Sequence, residues 1–337
     1  MLQIDGSAGE GGGQVLRTAL GLSLARGRPF RIEGIRAGRE RPGLLRQHLA
    51  AVRAAAAIGD AQVVGDHLGS TSLTFTPRGL RAGEHRVAIG SAGSAMLVIQ
   101  AVLPGLLVAD GPSRLWVEGG THNPAAPPFP FLARAFLPLL RQMGARVELT
   151  LERAGFYPAG GGRVLLEVEP APLQPLVLHE RGAVLETVAC AMVSALHPTI
   201  AHRELHVLRE RFGLGRDALI VEDVPNAVGP GNAVTLTFRC AHVTELFTAI
   251  GERGRNAVAV ATTVADEADA WLAHGQPVGE HLADQLLVPI SLAGGGSFRT
   301  GPLSSHTRTN LEGVARFIPL SQQLVELGGG GVEVRLG

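Results

Sequence analysis

Between Gly9 and Arg17 the chain reads Gly-Glu-Gly-Gly-Gly-Gln-Val-Leu-Arg, four glycines with a carboxylate, an amide and a guanidinium. An apolar helical pattern follows at once. Glycines ahead of a helix let backbone N–H groups converge on an anion, and the helix dipole favours negative charge at the same place. That is phosphate chemistry, but not a Walker loop. A Walker loop ends in Gly-Lys-Ser/Thr, and the 337 residues contain no lysine, so all 30 basic side chains are arginine. The same absence excludes a lysine adenylate and a Schiff base. Glu10 reads in two ways, as a helix-dipole complement or as a ligand for a divalent cation held against phosphates. Gln14 and Arg17 are spaced i, i+3, which puts an amide and a fork donor above one spot.

A second cluster follows. Arg36, Arg39, Arg41 and Arg46 surround Pro42-Gly43, with Gln47 and His48 opening the next helix. From Arg17 to Arg53 there are nine arginines against two acids, Glu33 and Glu40. Solvated helix faces mix signs, so this surplus suits a phosphate-rich partner, although a plain basic surface has the same composition. His306 lies in Ser304-Ser-His-Thr-Arg-Thr-Asn310. A histidine in a polar loop is commonly just surface. Here, with no lysine and no cysteine in a glycine-rich loop, it is the best placed nucleophile, and imidazole is largely neutral at pH 7. His122 sits in the equivalent loop of an earlier repeat. Thr309 or Asn310 is expected to cap the helix that follows His306. His281, Asp284 and Gln285 open another helix, where Asp284 is either a first-turn dipole complement or a ligand contact. Gln100 interrupts an apolar helix and needs partners, so it ties elements together or reads a ligand edge. The loop Thr121–Pro128, with Pro127, offers a flat apolar face to a base.

These residues are positioned by repeated units. The first, residues 1 to about 80, reads as strand (Leu2–Ile4), glycine loop, helix (Gln14–Ala25), strand (Phe30–Ile35), arginine loop, helix (Leu44–Ile58) and two strands (Ala61–Val64, Ser72–Phe75). Gly34, Pro42 and Gly59 recur as Gly119, Pro127 and Gly144, an offset of 85 residues, and the glycine loop recurs as Gly90–Ser94. A third copy holds a helix (His281–Leu292), a strand (Ser297–Thr300), the loop Gly301–Thr309, a helix (Leu311–Phe317) and a strand (Gly331–Leu336). Between the second and third copies the pattern breaks, into strand (Gly182–Cys190), helix (Ile200–Phe212), loop (Pro225–Asn232), strand (Ala233–Cys240) and helix (Arg255–His274). The expected architecture is therefore α/β (α+β), with a repeat-built large domain of residues 1–177 and 277–337 and a smaller α/β domain, 178–276, inserted at an exposed turn. Zero net charge argues against a general nucleic-acid coat. No apolar run is long enough to span a membrane, and two distant cysteines, Cys190 and Cys240, suit a reducing, cytoplasmic compartment.

The set Gly9–Arg17, Arg36-Ala-Gly-Arg39, Pro42-Gly-Leu-Leu-Arg-Gln-His48, Gly90-Ser-Ala-Gly-Ser94, Gly155-Phe-Tyr-Pro-Ala-Gly-Gly-Gly162 and His281-Leu-Ala-Asp-Gln285 resembles the RNA 3′-terminal phosphate cyclases over essentially the whole chain. The resemblance implies repeated two-helix, four-strand units like the C-terminal domain of translation initiation factor three, with a smaller inserted domain. It implies a reaction in which ATP adenylates a histidine and AMP passes to an RNA 3′-phosphate. The neighbouring 2′-hydroxyl then closes a 2′,3′-cyclic phosphate and expels AMP. Carried over by motif, His306 is the nucleophile and Glu10 a contact to a divalent metal, Mg or Mn. Gln100, Pro127, His281, Leu282, Ala283, Asp284 and Gln285 lie around the adenylate. Gln14, Arg17, Arg36, Arg39 and His48 hold the RNA end or the triphosphate. One departure is His281, where the family usually carries an aromatic residue that stacks on adenine. The partners implied are ATP and an RNA with a 3′-phosphate end, with no membrane; a homodimer is left open. Two other classes compete. A non-catalytic relative acts in ribosome assembly, but is expected to lack the nucleophilic histidine. An enolpyruvyl-transferase-like enzyme uses similar repeats without a covalent histidine.

Overall fold

The structure is a computed structural model that describes residues 1–9 and 11–337. Its first unit holds β1 (Leu2–Asp5), α1 (Gln14–Arg26), β2 (Phe30–Glu33), α2 (Arg46–Ile58), β3 (Gln62–Val64) and β4 (Leu73–Thr76). The sheet order is β1-β2-β4-β3, with β1 and β2 parallel and the other pairs antiparallel. A parallel pair cannot be closed by a tight turn, and α1 supplies the crossover. In β2 the alternation is clean: Phe30 and Ile32 are buried, Arg31 and Glu33 exposed.

The second unit repeats this wiring. It comprises β5 (Gly83–Ala88), α3 (Ala95–Leu106), β6 (Ser113–Gly119), then α4 (Phe129–Phe131) running through a π-helical turn (Leu132–Phe136) into α5 (Leu137–Gln142), β7 (Arg146–Arg153) and β8 (Gly162–Glu169). Its order, β5-β6-β8-β7, again has one parallel pair, β5 with β6. The chain then enters β9 (Leu176–Leu178) and leaves for a separate sheet. That sheet contains β10 (Val184–Ser194), β11 (Leu219–Asp223), β12 (Gly231–Cys240) and β13 (Thr244–Ile250), in the order β11-β10-β12-β13. Helices α6 (Thr199–Phe212) and α7 (Ala257–His274) pack on it and on each other. The third unit is completed by α8 (Glu280–Leu292), β14 (Gly296–Thr300), α9 (Ser305–Phe317), β15 (Gln322–Glu326) and β16 (Val332–Leu336). Its order, β15-β16-β14-β9, is the same arrangement a third time, with β9 parallel to β14 across the intervening segment.

Helices bring the three units together. Helix α1 packs on α3 and α9, and α8 packs on α9. Eleven of the twelve residues of α3 are buried, so it is a central helix with no polar face to offer water. Gly21 makes the α1–α3 approach possible: a methyl group there would lie 2.8 Å from a Pro104 ring carbon. The β11-β10-β12-β13 sheet reaches the third unit through Glu245 on β13, whose carboxyl accepts the Gly279 N–H at 2.6 Å, at the entrance to α8. No helix among the described residues is long and apolar enough to cross a membrane.

The structure departs from the sequence expectations at several boundaries. Helix α2 starts at Arg46 rather than Leu44, because the Leu44 N–H bonds the Ser70 carbonyl and Leu45 is extended. Helix α9 starts at Ser305 rather than Leu311. Ser304 is its cap, accepting the Thr307 N–H at 3.2 Å, so neither Thr309 nor Asn310 caps it. His306 therefore stands in a first helical turn, not in a loop. The strands β11, β13 and β15 lie where the pattern suggested none, and β10 is longer and later than Gly182–Cys190.

Glu204 of α6 is wholly buried and accepts from the Asn232 amide at 2.9 Å; burial pushes its carboxyl from 4.5 up to about 7. A raised carboxyl pKa means the folded state binds the proton more tightly than the unfolded chain does. The contribution to stability is full below about 4.5 and is lost as pH climbs through about 7. Denaturant unfolding between pH 5 and pH 8 is expected to show a fall in stability that Glu204→Gln flattens. Parallel pH profiles for the two proteins would mean that Glu204 ionises normally.

Candidate active site

The glycine loop is a crossing point. Gly9 and Gly11 both have positive φ, +61° and +55°, a region other L residues rarely enter. A side chain on Gly9 would overlap the Thr309 hydroxyl of α9, and one on Gly11 would strike the backbone of Gly38 in the arginine loop. One on Gly13 would meet the His48 ring and the Arg17 guanidinium. The glycines thus let α9, the arginine loop and the start of α2 converge on the N-terminus of α1.

From that end of α1, Gln14 reaches into the third unit. Its Nε2 donates to Asp284 Oδ1 at 2.5 Å and to the His306 carbonyl at 3.3 Å, and its Oε1 lies 2.6 Å from His306 Nδ1. Both neighbours of the NH2 group are acceptors, which fixes the amide orientation. His306 Nδ1 must then be the donor to Oε1. The neutral imidazole is held as the tautomer with its proton on Nδ1 and its lone pair on Nε2. Asn310, one turn after His306, donates to the Asp284 carbonyl and to Asp284 Oδ1, each at 3.0 Å. Thr18 donates to Asn310 Oδ1 at 2.7 Å. Burial raises the Asp284 pKa, against the opposing pull of Arg17, Asn310, His306 and Gln14. Two N–H donors on one oxygen are the partners of a carboxylate, and the Arg17 charge supports that form.

Gln100 extends the network to the second unit. It donates to Gln285 Oε1 at 2.5 Å, and Gln285 donates to Asp284 Oδ2 at 3.5 Å. Its role in the fold is to tie α3 to α8. Gln14, Arg17, Gln100, Asp284, Gln285 and Asn310 line the polar side of one cleft, open to solvent, whose other side is apolar. Arg17 is pulled down to about 10 by burial, with Asp284 acting against the shift, and stays charged at neutral pH.

His48 is buried, its Nδ1 accepting the Leu45 N–H at 3.2 Å. Burial first, then the charges of Arg36 and Arg17, push its pKa to about 3. It offers one Nε2–H donor at the glycine loop, not a positive charge. Arg36, at a positive φ of 57°, donates to the carbonyls of Arg41 and Gly43 and so braces the arginine loop from within. Arg39 is exposed and lies over Gly12.

Other predicted residues stand apart. Leu282 and Ala283 are buried in the core, so only their backbone could reach a ligand. His281 is exposed at the start of α8, and Pro127 is half-buried ahead of α4; neither lines the cleft. His122 is a core residue. Its ring stacks on Phe156 with centroids 5.2 Å apart, its Nδ1 meets the Thr121 hydroxyl, and burial lowers its pKa to about 4. Glu10 lies outside the described residues. Asn310 is the site residue that sequence reasoning missed, having been given to a helix cap. With α9 starting at Ser305, His306 and Asn310 are i, i+4 neighbours on one face, the signal that would have found it.

The His48 geometry has a spectroscopic consequence. Its ring ¹⁵N shifts are expected to report a neutral Nε2–H tautomer throughout pH 5 to 8. Protonation near the ordinary value of about 6.5 would show that the ring is solvated and that the cap on α2 is not formed.

A model of the RNA 3′-terminal phosphate cyclase family matches residues 8–324. The RNA 3′-terminal phosphate cyclase of Koribacter versatilis is 50% identical over 327 residues, covering 97% of this chain and 92% of its own. That of Ectopseudomonas mendocina is 49% identical, covering 94% and 92%, and that of Salmonella typhimurium 51% identical, covering 95% and 94%. Among solved structures, the enolpyruvyl transferase NikO from Streptomyces tendae is 13% identical, with a TM-score of 0.39 over 99% of this chain and 48% of that one, too low to argue from. The match along nearly the whole length, at about half identity, decides the family: this chain belongs to the RNA 3′-terminal phosphate cyclases.

Proposed function

We propose that this protein converts an RNA 3′-terminal phosphate to a 2′,3′-cyclic phosphate at the expense of ATP, through a covalent adenylate on His306. The observation that carries the reading is the Gln14 amide, held between Asp284 and His306 Nδ1, which fixes the tautomer a nucleophilic imidazole needs. In the first step His306 Nε2 attacks the α-phosphorus of ATP. An N–P bond forms, the bond to the bridging oxygen breaks, and pyrophosphate leaves. The imidazolium created is stabilised along the chain of hydrogen bonds to Asp284. In the second step an oxygen of the RNA 3′-phosphate takes the AMP, and the imidazole departs with its electron pair. The 2′-hydroxyl then attacks the phosphorus on the 3′-oxygen, its proton passing to solvent, and the anhydride bond breaks to release AMP. A phosphate monoester has no adequate leaving group, whereas the anhydride expels AMP. Arg17 and Arg39 beside the glycine loop supply charge for the phosphates, and the neutral His48 adds one donor. Gln100, Asp284 and Gln285 line the cleft proposed for the adenylate, with Pro127 and His281 at a distance from it.

A divalent metal, Mg or Mn, fits this scheme through Glu10. Among the described residues no group of three or more His, Cys, Asp or Glu side chains stands ready to hold one. Mg²⁺ commonly takes one or two carboxylates together with substrate phosphates, which is the arrangement a single Glu10 allows. When bound, the ion neutralises triphosphate charge. We also read 178–276 as a smaller domain set into a large one of 1–177 and 277–337, supported by the pairing of β9, which ends at Leu178, with β14. The two buried free cysteines suit a cytoplasmic setting.

His306→Ala is expected to abolish transfer of label from α-³²P-ATP to the protein, and Gln14→Leu to slow it by about 10² while leaving the fold intact. An acid-labile adduct that persists in His306→Ala would sink the assignment of the nucleophile. Glu10→Ala should move the metal-ion midpoint for adenylation to higher concentration; an unchanged titration removes Glu10 from that role.

A further inference from the structure

The exposed face of α2 forms one wall of a second groove, and β5 forms the other. Arg46, Arg53, Leu68 and His85 stand around a floor of small apolar residues of α2, including Ala50 and Ala54, open to solvent. Nothing in the reaction described above uses this groove. We propose that it holds the RNA strand on the 5′ side of the terminal phosphate, as a sequence-independent track. The proposal rests on the reading of the protein as an RNA-end cyclase.

Position is the first argument. Arg46 opens α2 and lies two residues before His48, whose ring faces Gly13 at the candidate site. Arg53 is seven residues further along the same helix, roughly 10 Å away at 1.5 Å per residue and close to the same face. A strand whose end sits at the glycine loop would leave past the start of α2 and along this face.

Charge is the second. Arg53 meets Asp66 only at 3.9 Å, and both side chains are at least 45% exposed. Such a pair contributes little to stability, so a phosphate can replace the acid at small cost. Arg46 stands on the same face of the helix and is exposed. The exposed Leu68 adds apolar surface against which a ribose or base can lie.

The test compares an RNA of about twelve nucleotides with a dinucleotide, both ending in a 3′-phosphate. For R46Q/R53Q, KM for the longer RNA is expected to rise about tenfold with kcat unchanged, and the dinucleotide constants to stay at wild-type values. Fluorescence-anisotropy titrations of the longer RNA should lose about 1.4 from the slope of log affinity against log salt, the share of two phosphate contacts to a single strand. Asp66→Asn, which removes a competing acid, should tighten the longer RNA. Equal shifts for both RNAs, or no shift for either, overturn the track. If the wild-type protein binds the longer RNA but cyclises neither substrate, the cyclase reading fails, and the anisotropy titrations still decide the groove.

Discussion

The Gln14 amide satisfies Asp284 and His306 together only while α1, α8 and α9 keep their mutual positions. That single constraint explains much of the architecture around it. Gly9 carries no side chain because α9 passes against it through Thr309. Asn310 and Thr18 hold α8, α9 and α1 to one another by side-chain bonds rather than by apolar contact alone. Buried polar networks of this kind are costly when partly satisfied and specific when complete. Here each of the amides involved has donors and acceptors matched across helices far apart in sequence.

Electrostatics divides the site into two halves. On the α8–α9 side, a buried carboxylate and neutral amides face an imidazole. On the glycine-loop side, guanidinium groups gather beside the N-termini of α1 and α2. Arg17 belongs to both, since its charge supports the Asp284 carboxylate and burial lowers its own affinity for a proton. His48 stays uncharged because it is buried and, secondarily, because Arg36 and Arg17 lie near it, so it contributes a directed N–H where another cation would add repulsion. The arginine loop is self-braced, with Arg36 spent on two backbone carbonyls, so that Arg39 presents its charge from a fixed turn.

Much of this was legible in the sequence. Glycines and prolines at a constant offset exposed the repeat, because turn geometry constrains those residues more tightly than packing constrains a core side chain. The absence of lysine removed the Walker reading and directed attention to His306. What stayed hidden depended on long-range pairing. Gln14 and Asp284 are partners from opposite ends of the chain, and no local pattern announces it. The start of α9 was misplaced because Ser304, Thr309 and Asn310 are all good caps, and only tertiary contact selects Ser304. The strands β11, β13 and β15 are hidden for a related reason: all three are edge strands of mixed composition, paired on one side only.

The threefold recurrence of one strand order also bears on the order of synthesis. The glycine loop and the arginine loop belong to the first unit and are complete early, while α9 is among the last elements to be made. Until Ser305–Phe317 has emerged and docked on α1, Gln14 has neither the imidazole nor the Asn310–Asp284 clasp to meet. A nascent or truncated chain holding the first two units would carry the glycine loop and its arginines without the partners that hold Gln14 in place.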